Sequence, residues 1–249
     1  MMARAILFLL CLLSVAARAA TDRPLVTELN KYSVDITARY TGDRILLFGA
    51  MLGGGGDVVV KVTSPAEKMS IDRKESSGPF WLSGHKHVVE GVPGVYYLLS
   101  SAPISRIASS AMQARYGLGL DAVFAQMRVS PPPQHPGALR AAILRIKDAD
   151  KHFLVQDNAV TIEGGRLFFV SIPIPARLPM GQYGIQTLFL KNGAVVGTES
   201  KTLNVDEVRV EHWISQIAER TPWAFGAVFV AFVLILGLGL GIFLNRSRA

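Results

Sequence analysis

Arg44-Ile45-Leu46-Leu47-Phe48-Gly49-Ala50-Met51-Leu52-Gly53-Gly54-Gly55-Gly56-Asp57-Val58-Val59-Val60-Lys61-Val62 is the stretch whose reading decides the fold class. An apolar run of strand length ends at Met51, four successive glycines follow, and a valine-rich run begins at Val58. Valine favours extended backbone because its branched side chain is crowded in a helix and packs well on a pleated surface. Leu52 to Asp57 then reads as a loop, and the two runs as the arms of a hairpin. The glycines also invite a phosphate-loop reading. That loop needs a Lys-Ser/Thr pair opening a helix, whereas Asp57 and a strand follow here.

Working outward, Tyr32-Ser33-Val34-Asp35-Ile36-Thr37 alternates as a half-buried strand does. Further strands are predicted at Phe80 to Leu82, Val88 to Glu90 and Val95 to Ser100, with a turn at Gly91 to Gly94. Residues 20–103 are thus expected to form an immunoglobulin-like β-sandwich unit. Ile104, Ile107, Ala108, Ala111 and Met112 recur at helical spacing, as do residues in 121–128 and 139–149, and the prolines at 131–133 and 136 make a stiff connection. Residues 104–150 therefore read as a helical layer with a Pro-rich loop, covering the sandwich. A second β unit follows at 151–205, with its clearest signal at Asn192-Gly193, because a type I′ turn needs positive φ at both central positions. The fold class is mainly β: one or two β units, an intervening helical layer, and a C-terminal membrane helix.

The two ends carry the membrane signals. Arg4, the apolar run Ile6 to Val15 and Ala17-Arg18-Ala19 read as a signal peptide over 1–19, cleaved after Ala19. Trp223 to Leu244 is 22 residues, all apolar or glycine. At 1.5 Å per residue it spans roughly 33 Å, enough for a hydrocarbon core of about 30 Å. An amphipathic helix at 206–222 leads into it, with Val210, Trp213, Ile214 and Ile217 on one face. Arg246 and Arg248 make the tail 245–249 basic, which places it in the cytoplasm and the body in the periplasm of a bacterial inner membrane.

Composition excludes several chemistries. The single cysteine, Cys11, lies within the signal peptide, so the mature chain has no disulfide, thiolate metal site or thiol nucleophile. Without Arg4 and Arg18, 24 basic residues stand against 19 acidic, a net charge of +5, and no Lys/Arg run has the length of a nucleic-acid patch. Asp148, Asp150 and Asp157 lack the order of a calcium loop and read as solvated positions. Phe80, Trp81, Tyr96, Tyr97, Phe168 and Phe169 fall in strands, where burial is the default. His85 and His87 would share one face of a strand and could hold Zn²⁺ or Cu²⁺, with His135 or His152 folding close; a polar loop beside an edge strand is the plainer reading. In the membrane span, Gly237, Gly239 and Gly241 would let another helix approach closely.

The segments Val34-Asp35-Ile36-Thr37, Tyr40-Thr41-Gly42, Leu47-Phe48-Gly49-Ala50, Val92-Pro93-Gly94-Val95-Tyr96-Tyr97, Leu178-Pro179-Met180-Gly181-Gln182-Tyr183 and Leu188-Phe189-Leu190-Lys191-Asn192-Gly193 resemble a family of alphaproteobacterial transmembrane proteins. The resemblance implies an accessory role beside anion exporters of the sulfite-exporter type and brings no catalytic residue. The expectation is a non-enzymatic periplasmic accessory protein without a cofactor, anchored in the lipid bilayer. It would dock on a membrane-protein partner or a second copy through its transmembrane helix, and would not bind nucleic acid. The alternative is a metal or small-ligand binding module using His85 and His87.

Overall fold

In the computed structural model, residues 24–37, 39–77, 80–207, 226, 230 and 233–238 are described, with backbone alone at 73–77 and 80–85. The expected signal peptide, most of the expected 206–222 helix and most of the expected 223–244 span lie outside them. Two compact units are present, residues 1–34 with 40–205 and residues 35–39 with 206–249. The first holds the body. In the second, residues 226, 230 and 233–238 are helical, and among the described residues no helix is long and apolar enough to cross a membrane.

The tetraglycine stretch does not close a hairpin. Strand β1 (Leu25–Leu29), β2 (Ser33–Ile36) and β3 (Asp43–Met51) precede it, and β4 (Asp57–Thr63) follows. β3 lies in a four-stranded sheet of order β1-β3-β11-β10, where β10 is Thr161–Glu163 and β11 is Leu167–Ile174. β4 lies in a six-stranded sheet of order β2-β13-β12-β4-β7-β9, where β7 is Tyr96–Ser100, β9 is Phe153–Gln156, β12 is Gly181–Lys191 and β13 is Ala194–Glu207. The glycines carry the chain from one sheet to the other. All four have positive φ, at 96°, 57°, 63° and 151°, a region other residues enter at a cost. The Gly55 N–H donates to the Gly165 carbonyl at 2.9 Å, and Lys191 Nζ donates to the Gly54 carbonyl at 3.1 Å, so the arch is held at both flanks.

Burial explains why the two strands part. β3 and β11 alternate strictly, hiding Ile45, Leu47, Phe168, Val170 and Ile172 on one face. β4 instead buries Val58, Val59 and Val60 in succession, each at 0 % exposure, which a strand covered on both faces requires. One face of the six-stranded sheet carries Val58, Val60, Tyr97, Leu99, Ile185 and Phe189, which register across β12, β4 and β7. Its other face supplies Val59, Tyr96, Leu98, Leu188 and Leu190 to a core shared with helices. Both sheets combine strands from before residue 103 with strands from after residue 150, joined in the pairs β3–β11 and β4–β12.

Helices occupy the predicted segment, but the first expected stretch is broken at the extended Ala108 and the second ends at Ala125, with Arg128 in a strand. The layer comprises α1 (Ile104–Ile107), α2 (Ser110–Tyr116), α3 (Leu120–Ala125) and α4 (Pro136–Ala149), with the short strand β8 (Arg128–Ser130) before the last. Ser109 caps α2, its hydroxyl accepting from the Met112 N–H, and Gly117 ends it in the left-handed conformation. Ile107, Leu118, Val123, Phe124, Leu139 and Ile143 face the sheet. Lys147, buried in α4, donates to Glu67 at 2.8 Å and to the Gly94 carbonyl at 2.9 Å, tying the helix to the start of β5 (Ala66–Ser77).

One further expectation changes. The predicted turn at Gly91 to Gly94 shrinks to its end, because β6 (Phe80–Pro93) runs through it and pairs with β5 as one long hairpin. Gly91, at φ 82°, is absorbed as a bulge where the register shifts between Glu67 and Met69. β5, rich in Lys, Glu and Ser, has no apolar alternation to announce it. Asn192-Gly193 makes the predicted turn, with φ of 51° and 74° between the paired residues Lys191 and Ala194.

Candidate functional site

The outer face of the four-stranded sheet carries several exposed apolar side chains. Phe48 pairs with Phe169 across β3 and β11, and Val26 and Leu167 both pair with Ala50. Partners in register point to one side of a sheet. Val26, Leu46, Phe48, Leu167 and Phe169 are 38–58 % exposed there, opposite the buried row of Leu47 and Phe168. Exposed apolar side chains are normal singly, whereas a contiguous cluster on a sheet is unusual. Phe169 therefore corrects the expectation that every strand aromatic is buried. Period-two alternation was the available signal, since adjacent Phe168 and Phe169 must point to opposite faces. Tyr96, Tyr97 and Phe168 are buried as expected, and the side chains of Phe80 and Trp81 lie outside the described residues.

A second feature opens where β3 begins and β11 ends. A cavity of about 840 Å³ lies among Arg44, Tyr97, Lys151, Phe153, Leu154 and Ile174. That volume is in the range of small-molecule sites, and its mix of apolar wall and charged rim is typical of them. The Tyr97 hydroxyl donates to the Lys151 carbonyl at 3.0 Å. Burial pushes the Tyr97 phenol well above the usual range, and the neighbouring Tyr40 adds to the shift. Tyr40 is itself raised, by burial first and then by the Asp43 carboxylate, and its buried hydroxyl has no hydrogen-bond partner. Asp43 is held below the usual carboxylate range by Lys31, which donates to it at 2.8 Å, and by the Arg44 N–H.

Of the expected metal ligands, the side chains of His87, His135 and His152 are described. His87 lies on β6 with Nδ1 2.9 Å from the Pro131 carbonyl, a contact in which that nitrogen donates. His152 makes the same kind of contact from Nε2 to the Arg177 carbonyl at 2.7 Å. His135 precedes α4 as its N-cap residue without a side-chain capping bond. The side chain of His85 lies outside the described residues. Among the described residues no group of three or more His, Cys, Asp and Glu is placed to hold a metal ion. Asp157 binds Ser100 Oγ at 3.1 Å and accepts from the Ile104 N–H at 3.3 Å, a local structural role at the start of α1.

Of the three glycines expected to pack a partner helix, Gly237 is helical and a methyl group added there would meet open space. Gly239 and Gly241 lie outside the described residues. Val230, Val233, Leu234, Ile235, Leu236 and Leu238 are exposed. Against known proteins, no curated relative and no solved structure matches the chain. A family described as "Putative transmembrane protein (Alph_Pro_TM)" matches residues 24–246, and over that extent the match shows that the chain belongs to this family.

Proposed function

We propose that this protein is a non-enzymatic accessory protein, anchored in the bacterial inner membrane with its body in the periplasm, which docks on a membrane partner such as an anion exporter. The observation that carries the reading is the exposed apolar face built by Val26, Leu46, Phe48, Leu167 and Phe169 on the four-stranded sheet. Membership of a transmembrane family and the exposed apolar residues 230 and 233–238 support the anchor. The test uses the full chain, cross-linked in intact cells and extracted in mild detergent. A membrane protein is expected to co-purify with the wild type and to be lost from a Phe48→Ser/Phe169→Ser variant whose abundance and melting are unchanged. Recovery of the same partners by the variant, or of none by the wild type, overturns the proposal.

A second reading is a small-ligand binding module, favoured by the cavity beside Tyr97, whose rim carries Arg44 and Lys151. It takes an amphipathic molecule, with an apolar part for Phe153, Leu154 and Ile174 and an acidic group for Arg44 or Lys151. Ligand-observed NMR with a fragment mixture should detect binding that Leu154→Trp removes; equal signals from both proteins would end this reading.

A further inference from the structure

Lys61 interrupts the valine run of β4. It stands on the helix-facing side of the six-stranded sheet, in register with Leu98 on β7 and Gln186 on β12. Its Nζ donates to the Tyr116 carbonyl, the last residue of α2, at 2.5 Å. An ammonium has three N–H donors, so this bond leaves two. No carboxylate of the described residues reaches it: the ion pairs formed there involve Lys31, Lys68, Arg140, Lys147 and Lys201. Burial lowers the Lys61 pKa, the direction that desolvation without a counter-charge produces.

The ammonium borders a cavity of about 300 Å³ between the sheet and the helical layer. Thr63, Tyr96, Ala122 and Gln126 also line it, and Lys61 is the one charged side chain among its lining residues. The Tyr96 hydroxyl is fixed in place, donating to the Gly117 carbonyl at 2.9 Å and accepting from the Gly119 N–H at 2.7 Å. Thr63 stands two residues along β4 from Lys61 and so shares its face. A water occupies about 30 Å³ of liquid, so the space holds a compact anion with several waters.

We infer that this cavity binds a compact oxyanion, either a small organic carboxylate or an inorganic oxyanion, gripped by the Lys61 ammonium with donors from Thr63 and Gln126. A half-buried positive charge with spare donors and no acidic neighbour is stabilised by an anion that supplies both the counter-charge and the acceptors. The site is separate from the outer face of the four-stranded sheet and does not depend on the docking reading. The competing account is that Lys61 only caps the C-terminus of α2, where cations meet the free carbonyls.

Isothermal titration of the full chain in zwitterionic nanodiscs decides between them, with sodium sulfate and sodium acetate titrated separately at an ionic strength held constant with chloride. Saturable heat is expected from at least one arm, sulfate marking an inorganic oxyanion site and acetate a carboxylate site. Lys61→Met should weaken that binding by about ten-fold or more. Should Lys61→Met fail to fold, Ala122→Glu keeps Lys61 and its bond to Tyr116 while placing a competing carboxylate on the same wall, and it too should abolish the heat. No saturable heat from either anion, or heat undiminished in a folded Lys61→Met or in Ala122→Glu, overturns the inference.

Discussion

At the scale of single residues, the body is built around tyrosines that bury a ring and still satisfy a hydroxyl. Tyr96, Tyr97 and Tyr183 are each about 1 % exposed, and each donates to a backbone carbonyl, Tyr183 to Pro179 at 2.7 Å. Ionising any of them would strand a phenolate in the core and forfeit that donated bond. Burial accordingly pushes Tyr96 up to about 12, while Tyr97 and Tyr183 move further in the same direction. The folded state then holds these protons more tightly than the unfolded chain, whose phenols titrate near 10. Their contribution is complete below about pH 10 and is lost as pH rises above it, by about 1.4 kcal/mol per pH unit for each tyrosine. Lys61 has the opposite sign, since a lowered lysine pKa adds stability as pH rises toward about 10.4. Melting temperature should therefore fall steeply between about pH 10 and 12, with phenolate absorbance appearing together with unfolding and a shallower fall in Tyr97→Phe. Ionisation of these tyrosines while the β-sheet signal persists would contradict this account.

At the scale of elements, the arch between β3 and β4 shows what a sequence of glycines leaves open. Four glycines announce that the backbone must enter unusual conformations, but they do not say which sheet the next strand joins. The choice is made by Val58-Val59-Val60, buried on consecutive positions, and by β11 and β12, which take the places on β3 and β4 that a hairpin would have filled. That clue was half legible: Val58-Val59-Val60 is the continuous run of a strand covered on both faces, but Ile45 to Met51 is equally apolar in sequence and alternates only in burial. The glycines of the arch are not equivalent. A Cβ on Gly56, at φ 151°, would lie 2.5 Å from the Leu190 carbonyl oxygen and 2.6 Å from the Phe189 ring, whereas one on Gly53, at φ 96°, would meet open space. Gly53→Ala should cost about 1 kcal/mol of backbone strain, and Gly56→Ala about 3 kcal/mol or more, because the overlap adds to the strain. Thermal denaturation of the two variants measures the difference; equal melting temperatures would mean that the arch can shift away from Phe189 and Leu190.

At the scale of the whole molecule, the sequence reads well where a signal is local and poorly where it is relational. The Asn192-Gly193 turn and the helical character of 104–125 and 136–149 follow from residues a few positions apart, so periodicity and turn chemistry suffice for them. The outer apolar face and the Lys61 cavity depend on strands that are distant in the chain. Phe48 meets Phe169 across 121 positions, and Lys61 lies opposite Gln186 across 125, separations that no window of pattern can relate. The same interleaving bears on the division into an early unit at 20–103 and a late one at 151–205. In the early segment alone, β3 would lose β11 and β4 would lose β12, leaving unpaired edges at the centre of both sheets and the rows of Ile45, Leu47, Val58 and Val60 uncovered. Each exposed Val or Leu forfeits about 1.5–3 kcal/mol of burial, so a handful consumes the whole stability of about 5–15 kcal/mol that a domain commands. Expressed separately, 20–103 should therefore show no cooperative melting and should aggregate through its open edges, while 20–207 should melt in one transition when followed by circular dichroism. A cooperative transition in 20–103 would show that the early strands can close a sheet without β11 and β12.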